Sequence, residues 1–418
     1  MGLVHVDDLQ PGMELAADLA NTQGRILLPK GTVIESNHLR VMKIWGATEA
    51  DIVGIDQQEA VATSTSELEP EHLCHAQDDL EGLFCLTDRD SEPLAEIFRL
   101  CVLRRARLIA RGAPLRDDAD WCPEIDMSSG ADAACERLDM AELVSREVAL
   151  TSFPAIYFQI VDAVKTPGSS ATYLADIVGR DPSVSARLLR LVNSPLYGLP
   201  SRIDSITRAV ALMGVNEIST LALGISVATM FDGISSHLLN MKSFWQHSFA
   251  CAMLAKILAG YIPGVQEERF FVGGLLHDIG RIIYCKAAPD CAVAPLREAR
   301  TRPESLTDME RAFLGFDHAA LAGALAREWK FPAALVGMIE HHHEPSRAPA
   351  PQEAAIIHVA DLLAVALQYG GSGECYVPIP EPGAWQLLQL PVSVLSGVVS
   401  QVERQLDDVF AALLHNGE

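Results

Sequence analysis

The chain has 418 residues, of which 49% are hydrophobic, and it carries a formal net charge of −23. This length suffices for two or three domains, and the apolar content is ample for a buried core. The negative charge repels phosphate backbones, and the 32 Lys and Arg residues are dispersed rather than gathered in a stripe. We therefore expect no nucleic acid as a direct partner.

Neither a membrane span nor an export signal is apparent. No apolar run approaches the roughly 20 residues needed to cross a bilayer, and the opening residues MGLVHVDDLQ lack basic and apolar signal regions. The nine cysteines are odd in number and scattered, with no Cys-x-x-Cys pair, which argues against a disulfide framework. We expect a cytoplasmic protein in a reducing compartment, with no membrane partner.

The first 56 residues predict a small β-rich module, because short apolar runs such as RILLPKGTVI alternate with turn residues. Residues 57–141 are mostly polar and acidic, which is typical of a solvated linker. Within them, residues 95–110 have helical periodicity, and the Asp-, Gly- and Ser-rich stretch 113–134 ends it.

From residue 142 onward the pattern is helical. Asp181 followed by Pro182 predicts a helix start, and Ser205 caps another helix that ends at Gly214. Because alternating strand patterns are absent, we predict a mainly α protein with an all-helical domain over 142–372 and a helical extension over 373–418. The amphipathic stretch 392–414 is expected to pack on this bundle, with a homodimer contact as the alternative.

The predicted later helices place histidines and acids on the same faces as their apolar residues. Each of five successive helices has at least one such residue on its apolar stripe or next to it. They are His247 (helix near 243–259), His277 and Asp278 (268–285), His318 (318–329), His342 and His343 (332–343) and Asp361 (352–368).

Burying one of these polar groups without a partner costs several kcal/mol. A divalent cation bound by these groups would offset this cost, because imidazole nitrogens and carboxylate oxygens are ligands of Fe, Mn and Zn. The sequence therefore predicts a centre for one or two metal ions. A single histidine on an apolar face is more commonly a hydrogen-bonded core residue, so a buried hydrogen-bond network is the alternative.

The segment GLLHDIGRI (274–282) resembles the signature of HD-superfamily phosphohydrolases. The surrounding chain is similar to an HDOD domain, the HD-related output domain of bacterial signalling proteins, above all in DPSVSARLLRLVNSPLYG (181–198) and IDSITRAVALMG (203–214). This resemblance implies an all-helical HD-superfamily bundle. It also implies that His247, His277, Asp278 and Asp361 form a primary metal shell, while His318 and either His342 or His343 match the second-metal positions of HD-GYP phosphodiesterases.

Two departures from the HD-GYP pattern affect the expected function. PSRAPAPQ follows His342-His343-Glu344 where the GYP element is expected, and Arg281 stands where lysine is usual; an arginine is not an equivalent point charge. We therefore expect a regulatory signalling protein that binds other signalling proteins or a nucleotide second messenger. The alternative is a metal-dependent phosphohydrolase of cyclic (di)nucleotides or other phosphoesters, with Asp278 and Arg281 as catalytic residues.

The N-terminal module is similar to the small domain found ahead of HD-GYP domains. The resemblance lies in LQPGMELAADL and GRILLPKGT. It implies a regulatory or interaction role for residues 1–56.

Overall fold

The computed structural model describes residues 2–5, 9–20, 26–35, 38–39, 42, 49–54, 68–113, 138–150, 158–160, 162, 171–199, 201–228, 238–265 and 267–414. It divides into two compact units, which are described separately. The first comprises Met1–Gly82, Asp88–Arg116 and Leu390–Gln405, and the second Leu83–Thr87, Asp117–Gln389 and Leu406–Glu418. The predicted boundaries at 56, 141 and 372 remain predictions.

The described residues are mainly helical. The first unit contains β1 (Gly2–His5), β2 (Leu19–Ala20), β3 (Ile26–Leu28), β4 (Glu49–Ile52), α1 (Pro70–Glu81), α2 (Glu92–Ala110) and the start of α17 (Val394–Leu414). The second contains α3 (Met140–Leu150), α4 (Ala171–Gly179), α5 (Pro182–Val192), α6 (Ile206–Met213), α7 (Val215–Ala228), α8 (Met241–Gly260), α9 (Glu268–Leu276), α10 (Ile279–Ala287), α11 (Pro289–Thr301), α12 (Leu306–Leu314), α13 (His318–Glu328), α14 (Ala333–Glu340), a 3₁₀ turn (Pro345–Arg347), α15 (Pro351–Ala366) and α16 (Ala384–Leu388).

The described N-terminal residues form two two-stranded antiparallel sheets and two isolated bridges, Glu14 with Val33 and Leu15 with Ile52. β1 pairs with β4, with Gly2 opposite Ile52, and β2 pairs with β3. The sheets enclose a small apolar core that includes Val4, Leu15 and Ile34. The strands are only two to four residues long, so the description of this region as β-rich was too strong.

The acidic segment that follows the N-terminal strands contains helices α1 and α2, which pack against each other. Helix α2 covers the predicted helical stretch 95–110. Arg105 of α2 forms a largely buried ion pair with Asp79 of α1 at 2.7 Å. The amphipathic C-terminal helix also exists as predicted. Its Glu403 lies 2.9 Å from Arg104 of α2, so the first part of α17 packs within the first unit, while its residues from Leu406 onward belong to the second unit.

The helix starts predicted from sequence hold in the second unit. The Asp181 carboxylate accepts hydrogen bonds from the backbone amides of Ser183 and Val184 at 2.9 and 3.0 Å, which satisfies the first turn of α5. Ser205 caps α6 through the amide of Arg208, and Gly214 ends that helix with φ of +102°.

The predicted helix over 268–285 is two helices, because the chain breaks at His277 and Asp278. Close helix packing surrounds this break. A Cβ on Gly274 would lie 2.8 Å from the backbone of Ala252 in α8, and a Cβ on Gly280 would lie 2.1 Å from the carbonyl oxygen of His318. Glycine at these positions therefore allows α8, α9, α10 and the start of α13 to approach closely.

Two further features concern the chain as a whole. None of the helices in the described ranges is both long and apolar enough to cross a membrane. Cys291 and Cys375 are disulfide-bonded, a feature that the sequence did not predict, while Cys74, Cys85, Cys101, Cys251 and Cys285 are free thiols.

Candidate metal centre

The seven predicted metal ligands come together in the second unit. Three overlapping groups have donor atoms that all lie within 4.8 Å of one another: His247 with His277 and Asp278, His277 with His342 and Asp361, and His318 with His342 and His343. The structure thus brings together every residue of the predicted set. His342 and His343 lie just beyond α14, because this helix ends at Glu340 rather than at 343.

Second-sphere hydrogen bonds fix the orientation of three imidazoles. The Nδ1–H group of His277 donates to the Gly274 carbonyl at 2.7 Å, and that of His342 donates to the Ile339 carbonyl at 2.7 Å. Nδ1 of His318 lies 2.5 Å from a carboxylate oxygen of Glu310. Each ring therefore presents Nε2 to the centre, which is the arrangement of metal-ligating histidines.

The Nε2 atoms approach each other more closely than neutral imidazoles favour. Nε2 of His318 lies 3.3 Å from that of His342 and 2.9 Å from that of His343, and the Nε2 atoms of His247 and His277 are 3.4 Å apart. Because the Nδ1–H of His342 is already donated, its Nε2 presents a lone pair to the other rings. Imidazole nitrogens and carboxylate oxygens thus converge on one region, and this donor set fits a divalent metal ion.

Asp278 lies between two groups of donors. Its Oδ2 atom is 3.4 Å from Nε2 of His277 and 3.6 Å from Nε2 of His247, and Oδ1 of Asp361 lies 3.1 Å from the same His247 atom. The other oxygen, Oδ1, is 2.9 Å from Nε2 of His318. The arrangement therefore offers four donors on one side of Asp278 and the histidines at 318, 342 and 343 on the other.

The electrostatics divide the centre into charged and neutral groups. Burial raises the pKa of the Asp278 carboxyl, but Arg281 and His277 outweigh this and hold it well below its usual range. Burial lowers the pKa of His342 to about 3, so this ring is neutral. Burial and Arg281 lower the pKa of His318, but the carboxylates of Glu310 and Asp278 have the larger effect. The pKa is therefore raised to about 9. His318 thus holds a proton where a metal would bind.

Arg281 lies beside Asp278 but is enclosed by the protein. Its Nη1 atom lies 3.2 Å from Asp278 and 2.6 Å from the Ser372 hydroxyl, Nε lies 3.1 Å from Glu310, and Nη2 lies 2.6 Å from Glu374. The side chain is 1% exposed. Because each guanidinium nitrogen already has a partner, this geometry fits a residue that positions Asp278 better than one that contacts a substrate.

The segment Gly370–Cys375, here called the strap, closes over Arg281. The amide of Gly371 donates to the Ser243 carbonyl at 3.2 Å, and Glu374 accepts a hydrogen bond from the amide of Leu306 at 3.3 Å. Gly370 has φ of +71°, and a Cβ there would lie 2.2 Å from the Ser243 carbonyl oxygen. The strap therefore links the starts of α8 and α12 to Arg281.

Glu310, Ser372 and Glu374 were missed in the sequence. Glu310 was detectable, because it lies four residues from both Leu306 and Leu314 on the buried face of α12. Ser372 and Glu374 were not, because the glycine-rich strap has no periodicity from which burial can be inferred.

Two other histidines, His341 and His358, lie outside the three ligand groups. Nε2 of His341 is 3.8 Å from Glu340. Nδ1 of His358 donates to the carbonyl of His342 at 2.7 Å, and its Nε2 accepts the amide of Glu381 at 3.1 Å. His358 therefore supports the backbone of a ligand.

Comparison with known proteins agrees with this architecture. The HDOD domain model matches residues 150–345. An uncharacterized protein of Treponema pallidum is 24% identical over 224 residues, which are 53% of this chain but only 42% of that relative. This chain therefore spans less than half of the relative's length.

Two crystal structures share the fold. A proposed phosphohydrolase from Shewanella amazonensis is 24% identical with a TM-score of 0.53, over 66% of this chain and all of that one. An HDOD domain protein of unknown function from Geobacter sulfurreducens is 21% identical with a TM-score of 0.53, over 65% and 96%. Residues 150–345 therefore match the HDOD domain model, and the two structures share the helical fold.

Proposed function

We propose that this chain is a regulatory signalling protein whose HDOD domain acts by binding other molecules, and that its metal centre is structural. The observation that carries this proposal is the burial of the ligands. His247, His277, His318 and His342 are 0% exposed, Asp278 is 2% exposed and Asp361 is 5% exposed. A substrate needs an open coordination position, and of the seven ligands only His343 is partly exposed.

The chemistry around Arg281 supports the same proposal. A phosphate group would have to displace Asp278, Glu310 or Glu374 to reach the guanidinium. Breaking such a buried ion pair costs several kcal/mol. Arg281 is therefore better suited to hold Asp278 in place than to stabilise a reacting phosphate.

A divalent cation, Fe, Mn or Zn, would be held by His247, His277, Asp278 and Asp361, with His318, His342 and His343 available to a second ion. In this role the cation would tie α8, the break between α9 and α10, and α15 together and compensate the two buried carboxylates. The identity of the metal is part of the proposal.

The remaining parts of the proposal concern partners. The N-terminal residues, which resemble the small domain that precedes HD-GYP domains, would receive or transmit the signal. The chain would work in the cytoplasm with signalling proteins or a nucleotide second messenger, and a homodimer is one form that such binding would take.

Elemental analysis and thermal unfolding of the purified full chain test the structural metal. We expect bound metal, and we expect His277→Ala to lower both metal content and melting temperature, because His277 belongs to the first set of ligands. His341→Ala is the control, since this histidine lies outside the ligand groups, and it should change neither quantity. Equal metal content in both variants would contradict the proposal.

A second candidate function is a metal-dependent phosphohydrolase. The observation that favours it is the position of Asp278, whose two oxygens face two donor groups and could bridge two cations. Bound cations would activate water and neutralise phosphate charge. In that case Asp278 would hold the metals, and Arg281 would fix its carboxylate.

Turnover of cyclic dinucleotides, cyclic nucleotides and simple phosphodiesters with added Mn or Fe separates the two functions. The signalling proposal predicts no turnover by metal-loaded protein. Turnover that Asp278→Ala abolishes while circular dichroism shows an intact fold would establish the hydrolase instead.

A further inference from the structure

A cleft lies beside the loop that joins α5 to α6, and none of the residues that line it belongs to the metal centre. Its volume is about 910 Å³, near the upper limit of small-molecule sites, which span roughly 300–1,000 Å³. The lining comes from two segments, residues 189–195 and 199–204. These segments contain much of the sequence that distinguishes the HDOD resemblance from a plain HD hydrolase.

Hydrogen bonds from Asn193 hold the two sides of the cleft together. Its Nδ2 atom donates to the carbonyls of Leu189 at 2.7 Å and Ile203 at 2.8 Å, and its Oδ1 atom accepts the amide of Ile203 at 2.7 Å. One side chain thus fixes residues ten positions apart. The walls are therefore formed before any ligand binds, which reduces the entropy lost on binding.

A second anchor fixes the loop to the helices behind it. The ammonium group of Lys256 in α8 lies 4.6 Å from the centroid of the Tyr197 ring, a cation–π geometry. Lys256 is 5% exposed and also pairs with Glu267 and Glu268 at 3.1 and 3.2 Å. Tyr197, within the loop, therefore attaches the loop to the core of the second unit.

The cleft concentrates positive charge on an acidic protein. Arg190 and Arg202 line it, and Arg208 reaches the lining residue Ser201 with a hydrogen bond of 3.0 Å. Asp204 is the one carboxylate among the residues that line this cleft, so the lining carries a net positive charge. In a chain with a net charge of −23, this local excess favours an anion over a cation.

An unsatisfied hydroxyl provides the second indication of a ligand. Ser194 lines the cleft, is 7% exposed, and its Oγ atom has no hydrogen-bond partner among the described residues. A buried hydroxyl without a partner costs free energy. This oxygen has almost no accessible surface as placed, so the side chain must rotate toward the cleft before an anionic oxygen there accepts its hydrogen bond and removes that cost.

We propose that this cleft binds a nucleotide through its phosphate group. The guanidinium groups of Arg190 and Arg202 match phosphate oxygens in charge and geometry, and the Ser194 hydroxyl adds a third donor. Pro195 and Leu199 supply apolar surface for the ring-bearing part of the ligand. The inference deepens the proposed signalling function by naming a class of signal, and it places that signal outside the metal centre.

Isothermal titration of the full chain tests the proposal, with 5′-nucleotides and cyclic dinucleotides as probes up to about 1 mM, which detects weak binding. We expect at least one probe to bind. Arg190→Gln and Arg202→Gln should each weaken it by roughly tenfold or more, because each removes charge-assisted hydrogen bonds. Arg107→Gln, which changes an exposed arginine of α2 in the other unit, should have no effect.

A variant that keeps both arginines of the cleft provides an independent test. Leu199→Glu adds a carboxylate to the cleft and should weaken nucleotide binding without lowering the melting temperature. Metal content should be unchanged in all cleft variants, so a failure here is distinguishable from a failure of the proposed metal centre. No binding by any probe, unchanged binding in an Arg190→Gln, Arg202→Gln double variant, or binding of only inorganic phosphate or a phosphoserine peptide would overturn the proposal.

Discussion

A carboxylate oxygen of Glu310 lies 2.5 Å from Nδ1 of His318, and the same oxygen accepts the backbone amide of His318 at 2.9 Å. The other oxygen of Glu310 accepts hydrogen bonds from Arg281 and Tyr284. Glu310 thus connects a metal-facing imidazole to the arginine that contacts Asp278. Glu310 is 0% exposed. Among the metal ligands in the described part of the chain, its oxygens contact His318 alone. Its role is therefore to orient the ligands.

Glu310→Gln should lower metal affinity by about 10-fold to 100-fold, because outer-sphere partners of ligating histidines contribute on this scale. Competition with a chromogenic chelator measures the affinity. Glu328→Gln is the matched control, since Glu328 is an exposed residue of α13, and it should leave the affinity unchanged. Equal affinities of the two variants would show that Glu310 does not orient the ligands.

Metal binding should release protons, because His318 has a pKa raised to about 9 and must lose the proton on Nε2 to ligate. Metal affinity should therefore rise with pH and level off above about 9. In the metal-free protein the pH dependence is opposite, because the contribution of His318 to stability falls as pH rises. A raised pKa makes protonated His318 stabilising, so this contribution is fully present below the ordinary value of 6.5 and is lost as pH rises through about 9.

Titration calorimetry in buffers of different ionisation enthalpy measures this release. The apparent binding enthalpy should change with the buffer at pH 7. A buffer-independent enthalpy, together with a flat affinity between pH 6 and pH 9, would show that His318 is already neutral.

Part of the metal centre could be predicted because three of its residues lie on regular helices. His247, His318 and Asp361 occupy positions where 3.6-residue periodicity assigns the buried face, and all three are buried. The break between α9 and α10 could not be inferred, because GLLHDIGRI reads as continuous helix. It depends on the close contact of Gly280 with the His318 carbonyl, which is a tertiary contact between segments far apart in sequence.

The N-terminal residues and the strap mark the limits of sequence reasoning. Turn residues and apolar runs predicted strands there, and short strands exist, but periodicity does not determine how many residues join a ladder. The strap contains Gly370, Gly371 and Gly373, which carry no side-chain pattern. Its position over Arg281 follows from contacts of Ser372 and Glu374 with another helix, and these contacts become visible only in three dimensions.

Gly274→Ala should destabilise the protein by about 1–3 kcal/mol or more, because the added Cβ meets the backbone of Ala252 at 2.8 Å and neither helix can yield cheaply. Metal affinity should fall as well, since α8 carries His247. Gly179→Ala is the control: it also adds a methyl group to a helical glycine, but nothing lies within 4 Å of it. Chemical denaturation with metal present measures both variants, and equal stability would contradict the close packing of α8 and α9.

Cys375→Ser should lower the stability of the oxidised protein by about 2–4 kcal/mol, because a disulfide restricts the unfolded chain. The structure adds a local consequence. Cys375 follows Glu374, which holds Arg281, so loss of the disulfide should also increase hydrogen exchange at the amides of the strap and of α10. Cys85→Ser, at an exposed free thiol, should change neither quantity.

Because the effect requires the disulfide, dithiothreitol should lower the stability of the wild-type protein to that of Cys375→Ser. The stability of Cys375→Ser should not change on reduction. If the wild type and Cys375→Ser unfold at the same denaturant concentration under oxidising conditions, the disulfide does not stabilise the strap.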